Sequence, residues 1–187
     1  MRGEEVIKQL KDFITDETLI VSSNGNVSRQ VYSFLPQPQV YLRGSMGLPM
    51  SIGLGLALAK PNKQILVITG DGNFLMGLSS MTTIGNIQPS NLKILILDNQ
   101  CYATTGGQET VSSSLDYVKL LEGLGIKNYR SINAVENSSN LKEAIDTLLK
   151  VEQTAVLHIE VASDIEKLDN IPWHPQEIKE RFMQKFV

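Results

Sequence analysis

Two short polar turns stand where a divalent cation could be held against a phosphate. Gly70-Asp71-Gly72 closes a hydrophobic run at 65–69, and Asp98-Asn99 closes a second run at 92–97. Asp98 and Asn99 follow Asp71 by 27 and 28 residues. If the two runs are neighbouring parallel strands, a carboxylate and a carboxamide meet at their carboxyl ends. Two hard oxygen ligands at that place suit magnesium, whose shell a phosphate commonly completes. Glycine on both sides leaves Asp71 without a side-chain competitor, while nearby backbone amides can meet phosphate oxygens. A lone Gly-Asp-Gly is ordinarily a strand-to-helix turn. The second site at Asn99, with two further glycine-bearing turns, points instead to a ligand.

The elements that must position these turns follow from periodicity. Residues 3–14 place Val6, Ile7, Leu10, Phe13 and Ile14 on one helical stripe. Strands are expected at 18–22, 39–42, 64–69, 92–97, 127–133 and 154–162. Helices are expected at 27–35, stopped by Pro36, then at 48–60, 74–84, 115–124 and 140–151, and from Pro175 to the end. Residues 98–114 form a long polar stretch, of the kind that is functional when it carries no structure of its own. Such alternation implies an α/β fold, a doubly wound and mainly parallel six-stranded sheet with helices on both faces. The strands are near-continuous apolar runs, as a sheet covered on both faces requires. With no internal repeat, low-complexity tract or linker, residues 1–187 are expected to form one domain.

Composition narrows the classes. The net charge is −3, with Lys and Arg scattered, which gives nucleic acid no basic surface. The single cysteine, Cys101, excludes a disulfide framework and a cysteine-rich metal cluster. The N-terminus is charged and reads as helix rather than signal peptide. The longest apolar run, 46–59, contains Pro49 and is too short to span a bilayer. A soluble, cytoplasmic chain without membrane contact is the expectation.

An open sheet binds ligands outside the carboxyl ends of its strands. Four segments follow strands and could meet there: Ser23-Asn24-Gly25-Asn26, Gly44-Ser45-Met46-Gly47, Gly70-Asp71-Gly72-Asn73, and residues 99–108. Glycine or asparagine recurs in each, as close backbone approach to a ligand requires. Gly53-Leu54-Gly55 follows no strand and reads as tight helix packing rather than a dinucleotide turn.

Together these motifs resemble the pyrophosphate-binding domain of thiamine diphosphate-dependent decarboxylases, over most of the chain. Gly106-Gly107-Gln108 after the asparagine motif is most similar to the sulfopyruvate decarboxylases (their β chain) and the phosphonopyruvate decarboxylases. The resemblance implies thiamine diphosphate and Mg2+ as cofactors, with Asp71, Asn99 and the Cys101 carbonyl as metal ligands. It departs from the family's Asn-Asn at Asp98, which reads as a solvated strand end or a partner of local amides. It assigns Met46 as the apolar wedge that bends the coenzyme and the Gly44 carbonyl, beside Ser45, as an acceptor for its amino group. An ordinary core methionine is the other reading of Met46. Asn24, Gly25 and Asn26 match a turn that reaches the diphosphate, although Asn26 equally suits an N-cap. Gly70, Gly72 and Asn73 flank the metal ligand. Tyr102, Ala103, Thr104 and Thr105 are placed over the coenzyme, unless the loop is a surface lid.

That family's active site needs a second, pyrimidine-type domain that donates an activating glutamate, and no stretch here is left to form one. The resemblance therefore implies a pyrimidine-domain α subunit as partner, in a hetero-oligomer such as α2β2 or a multiple, with no certain catalytic residue on this chain. The reaction implied is decarboxylation of a small anionic 2-oxoacid, a 3-substituted pyruvate, to an aldehyde and CO2. Carboligation, 2-oxoacid oxidoreduction and a non-catalytic diphosphate-binding module remain alternatives. His158 reads as a satisfied core histidine and His174 as an anchor of the C-terminal segment or a residue at the substrate mouth. Arg43 reads as an anion contact or a surface charge.

Overall fold

The computed structural model describes residues 1–35, 38–164 and 168–186. The expected helix stop at Pro36 therefore lies outside the described residues. Six strands form one parallel sheet: β1 (Thr18–Ser22), β2 (Val40–Tyr41), β3 (Gln64–Gly70), β4 (Leu92–Asp98), β7 (Asn128–Asn133) and β8 (Ala155–Glu160), in the order β2-β1-β3-β4-β8-β7. Their residues alternate between two cores. Ile20, Leu66, Ile68, Leu95 and Leu157 pack under α1 (Gly3–Leu10), α2 (Asn26–Phe34) and α7 (Leu141–Lys150). Leu19, Val21, Ile65, Val67, Ile94 and Ile96 pack under α3 (Pro49–Ala59), α5 (Leu78–Ile87) and α6 (Tyr117–Gly123). Each central strand is buried on both faces, which explains its unbroken apolar run.

The chain leaves β1 for the edge strand β2, then crosses back to place β3 on the other side of β1. That reversal opens a crevice at the carboxyl ends of β1 and β3, where the first and third expected turns lie. The edge at β2 is covered by α8 (Pro175–Met183), which limits open strand pairing. Trp173 anchors the approach to α8, its ring 5.1 Å from Tyr32 and 6.2 Å from Tyr41, with the Arg181 guanidinium 4.2 Å above it. The His174 side chain is exposed and makes no capping bond, so the anchor expected at His174 is its neighbour.

Two expectations change. The helix expected at 74–84 is two helices, α4 (Asp71–Met76) and α5, broken at Gly77. A Cβ on Gly77 would stand 2.1 Å from the Gly47 carbonyl oxygen, so close contact with the Gly47 loop sets the break. The polar stretch after β4 is not irregular: β5 (Cys101–Tyr102) pairs antiparallel with β6 (Gln108–Glu109), followed by a 3-10 turn, Val111–Ser114. Among the described residues no helix is long and apolar enough to cross a membrane.

Two glycines of α3 differ sharply. A Cβ on Gly53 would lie 2.2 Å from Val67 Cγ2, whereas nothing stands within 4 Å of one on Gly55. Only Gly53 therefore serves the tight packing expected of the pair. Gly53→Ala should cost about 1–3 kcal/mol by forcing α3 off the sheet. Gly55→Ala should gain roughly 0.5–1 kcal/mol from helix propensity. Urea unfolding of the two variants checks this, and a loss of similar size from both would contradict it.

Candidate functional site: a cation and diphosphate cleft

Asp71 opens α4 directly at the tip of β3 and is 2 % exposed. Burial pushes its carboxyl from the ordinary 3.8 up to about 6, helped by the nearby Asp98 and opposed by the hydrogen bond from Thr110. Thr110 Oγ1 donates to Asp71 Oδ2 at 2.5 Å. The hairpin β5–β6 delivers that threonine: Thr110 N donates to the Gln100 carbonyl at 2.9 Å, closing the hairpin base beside the strand tip.

The other carboxylate oxygen faces the end of β4. One end of the Asn99 carboxamide lies 3.3 Å from Asp71 Oδ1 and 3.0 Å from the Cys101 carbonyl oxygen. With the NH2 group at that end, Asn99 bridges two acceptors. A half-turn of the amide places its oxygen there instead, and three oxygens then converge. Ligands at roughly 2.1 Å in octahedral order stand about 3.0 Å apart along an octahedron's edge. The two separations from the Asn99 amide, 3.3 and 3.0 Å, are close to that edge, so the three groups could hold a small hard cation. Gln100, between Asn99 and Cys101, takes φ +59°, a left-handed conformation at the bend from β4 into β5. Burial, with the Asp71 carboxylate, pushes the Cys101 thiol up, so its sulfur stays protonated while its carbonyl faces the site. Among the described residues no three His, Cys, Asp or Glu side chains could share a metal, so oxygen donors of this mixed kind are what the site offers.

The turn after β1 supplies the facing wall. Gly70 N donates to Ser23 Oγ at 3.4 Å, joining the tips of β1 and β3. Asn24 Oδ1 is buried and has no hydrogen-bond partner. Gly25 takes φ +80° as the residue before α2. Asn26 is the first residue of α2 rather than its cap, and no side chain caps that helix. Free amides at a helix start beside a cation site suit a phosphate oxygen.

These turns enclose a cleft of about 180 Å3. It is lined by Asn24, Gly25 and Asn26, by Met46, by Gly70 through Asn73, by Asn99, and by Cys101 through Thr105. That volume is below the roughly 300–1,000 Å3 of pockets that enclose a whole small ligand, as expected of a wall completed by something else. Tyr102 and Met46 press on Gly72, where a Cβ would lie 2.4 Å from Tyr102 Cε1 and 3.2 Å from Met46 Cε. The Met46 loop is held by Gly47 N donating to Asn73 Oδ1 at 3.0 Å, so Asn73 positions that loop as well as lining the cleft. Gly44 and Ser45 are exposed and lie outside the cleft wall, Ser45 with φ +57°. Ala103, Thr104 and Thr105 form the exposed tip of the hairpin.

Asp98 is neither solvated nor satisfied by local amides alone. It is 2 % exposed; Oδ1 accepts from Gln100 N at 3.0 Å, and Oδ2 accepts from Ser112 Oγ and meets His158 Nε2 at 2.9 Å. His158 Nδ1 meets Ser131 Oγ at 2.8 Å, and the Tyr117 ring stacks on the imidazole at 3.8 Å. His158 is thus a satisfied core histidine, with Asp98 as its partner. Sequence reasoning missed Thr110, Ser112 and Tyr117 in this second layer, and Gly3, Gln30, Val161 and Ala162 on the cleft floor. Gln30 is buried and reaches Glu4 at 3.4 Å from the middle of α2, a position that carries no local signal.

Comparison with known proteins identifies the family. The family model for the C-terminal TPP-binding domain of thiamine pyrophosphate enzymes matches residues 22–159. The chain is 37 % identical to the sulfopyruvate decarboxylase subunit beta of Methanococcus maripaludis, over 96 % of this chain and 94 % of that one. It is 33 % identical to the phosphonopyruvate decarboxylase of Streptomyces viridochromogenes over 89 % of this chain, but only 41 % of that protein. The fold superposes on benzoylformate decarboxylase from Polynucleobacter necessarius with a TM-score of 0.70 at 16 % identity, covering 90 % of this chain and 34 % of that one. The chain belongs to the thiamine pyrophosphate enzymes and, within them, to the thiamine pyrophosphate-dependent decarboxylases that include the sulfopyruvate decarboxylase β subunits.

The Asp71 shift has a stability consequence. A carboxyl held near 6 rather than 3.8 disfavours its ionised form in the fold, so the metal-free protein loses stability as pH rises from about 4 through about 6. At 1.36 kcal/mol per pH unit this reaches roughly 3 kcal/mol at neutral pH. Asp71→Asn removes it. In urea unfolding with chelator, the variant's stability relative to the unmutated chain should rise by roughly that amount between pH 4 and pH 7. A pH-independent difference would contradict the assignment.

Proposed function

We propose that this chain is the β subunit of a heteromeric, Mg2+- and thiamine diphosphate-dependent decarboxylase that converts a 3-substituted pyruvate, sulfopyruvate-like, into an aldehyde and CO2. The observation that carries the reading is the placement of the Asn99 carboxamide 3.3 Å from Asp71 Oδ1 and 3.0 Å from the Cys101 carbonyl oxygen, near the edge length of a magnesium octahedron. Asp71, Asn99 and Cys101 hold the magnesium ion through oxygen. Asn24, Gly25, Asn26 and the first amides of α2 face the diphosphate, with Gly70, Gly72 and Asn73 forming the floor. Met46 offers the coenzyme an apolar wedge, Tyr102 through Thr105 cover it, and Gly44 and Ser45 stand on the exposed shoulder beside it.

Thiamine diphosphate supplies, when bound, the nucleophilic carbon and the electron sink that loss of CO2 requires. This chain's part is binding, orientation and exclusion of water. Thr110 holds Oδ2 of Asp71 so that Oδ1 stays directed at the cation. The Met46 loop is held at Gly47, which Asn73 bonds through its side chain and Gly77 packs against. The partner is a pyrimidine-domain α subunit. Relatives named subunit beta match along 94 % of their length, whereas the phosphonopyruvate decarboxylase matches along 41 % and carries the remainder itself. The assembly is α2β2 or a multiple of it, with the coenzyme across the interface.

Co-expression with a chain bearing the missing domain tests the reading. CO2 release from 3-sulfopyruvate should need both chains, thiamine diphosphate and Mg2+; full activity from this chain alone would refute the heteromer. Asp71→Ala should abolish Mg2+-dependent coenzyme binding in that assembly with the fold intact. Because a proton competes with the cation for the buried carboxyl, Mg2+ affinity should fall about tenfold per unit below a pH of about 6. Titration of Mg2+ between pH 5 and 8 measures this, and a flat profile would argue against Asp71 as a ligand.

A further inference from the structure

Beyond the turn after β1 lies a second cavity, of about 120 Å3, that shares Gly25 with the coenzyme cleft. Its lining is mostly polar and contains two guanidinium groups, Arg29 and Arg43, with Asn170. Arg29 lies in the first turn of α2, and Arg43 follows β2. The Ser28 hydroxyl brings them to one rim: its single proton can go to the Leu42 carbonyl, 2.9 Å away, or to the Ser23 carbonyl, so it links the end of β2 to the start of α2. Arg43 Nη1 donates to the Trp173 carbonyl at 2.9 Å. That bond fixes its fork against a segment already wedged among Tyr32, Tyr41 and Arg181. Among the described residues Arg29 has no ion pair and no side-chain hydrogen bond, and no carboxylate pairs with Arg43.

Two guanidinium groups without a carboxylate, set in a small polar cavity, call for an anion. Their planar forks match the paired oxygens of a tetrahedral oxyanion better than an ammonium would. On the reading above the neighbouring cleft takes the diphosphate, and the second cavity, which shares Gly25 with it, is left for a different anionic group. We propose that Arg29 and Arg43 hold the distal sulfonate or phosphonate of the 3-substituted pyruvate and so set specificity for tail-bearing substrates. This rests on the decarboxylase reading above and adds the side chains that choose its substrate. The distal group does not change during the reaction, so its contacts strengthen substrate binding and discrimination more than the chemical step.

Kinetics of the assembled enzyme carrying Arg29→Gln provide the test, with 3-sulfopyruvate and 3-phosphonopyruvate as substrates and pyruvate and inorganic sulfate as inhibitors. KM for the tail-bearing acids should rise about tenfold or more, the loss expected of a charge-assisted hydrogen bond, with kcat little changed. Sulfate inhibition should weaken by a similar factor, while inhibition by pyruvate and affinity for thiamine diphosphate hold. Arg29→Lys, which keeps the charge and loses the fork, should fall between. The acid that suffers more identifies the tail. Unchanged KM, or equal weakening of pyruvate and the tail-bearing acids, overturns the inference. So does lost coenzyme affinity, which would put Arg29 on the diphosphate. If the unmutated assembly decarboxylates neither acid, the proposed function fails instead. Sulfate binding to the chain by calorimetry then decides the cavity: about tenfold weakening in Arg29→Gln supports it, and unchanged affinity overturns it.

Discussion

A carboxylate buried at a strand tip, with a hydroxyl on one oxygen and acceptors around the other, is the constraint on which the rest of this structure depends. Removing Asp71 from water costs free energy that no cationic side chain of the site offsets. The Thr110 hydroxyl answers Oδ2 alone. Oδ1 is left beside the Cys101 carbonyl and the Asn99 carboxamide, a grouping stable only if the amide turns its NH2 inward or a cation enters. A cation there would remove the electrostatic deficit at Asp71 and use the Asn99 oxygen at the same time. On the function proposed above, the site spends folding stability to keep a binding position ready, as functional sites commonly do.

The surrounding polar layer explains how so exposed a strap can be so well placed. Residues 99–110 leave the sheet at β4 and return through the hairpin β5–β6. What returns them is not apolar burial but hydrogen bonding into the core. Asp98 is the hub, taking the Gln100 amide on one oxygen and Ser112 and His158 on the other. Tyr117 completes the layer, its hydroxyl 2.8 Å from Ser112 Oγ and its ring stacked on His158. Every member has a partner, the condition under which a buried polar cluster fixes one arrangement rather than several. Where the resemblance would place a second asparagine, this chain has an aspartate. His158 on the neighbouring strand β8 is what lets a charge-bearing group sit there.

The sheet was legible because its strands are apolar on both faces and so announce themselves without any help from tertiary context. All six lie within two residues of their expected ends, and their parallel pairing follows from the helices between them. The split at Gly77 was not legible, since the cause is a contact with Gly47, thirty residues earlier. The hairpin was not either: its strands are two residues each and polar, too short for a period to show. In the cleft, residues on strand-end turns were found because glycine and asparagine mark close approach. Thr110 and Gln30 escaped because nothing local distinguishes them from other polar residues in a loop or a helix. Asp98 was read only in part: the local amide of Gln100 is there, but its other partner, His158, lies 60 residues away on another strand.

The openness of the cleft carries a further meaning. Its floor is rigid, made of strand tips and helix starts, yet its outer side is the exposed hairpin tip and the shoulder at Gly44 and Ser45. A coenzyme held here by its diphosphate end alone would leave its reactive rings against water, where stray protonation competes with chemistry. On the function proposed above, a second domain closing over the site would supply both the missing wall and a proton-handling group. On that reading this half would be optimised for charge, with oxygens for a cation, helix amides for a phosphate and two arginines for the anion the substrate brings. The half that meets the rings needs different chemistry, and a separate chain can provide it without disturbing the strand tips that hold Asp71 and Asn99 in register.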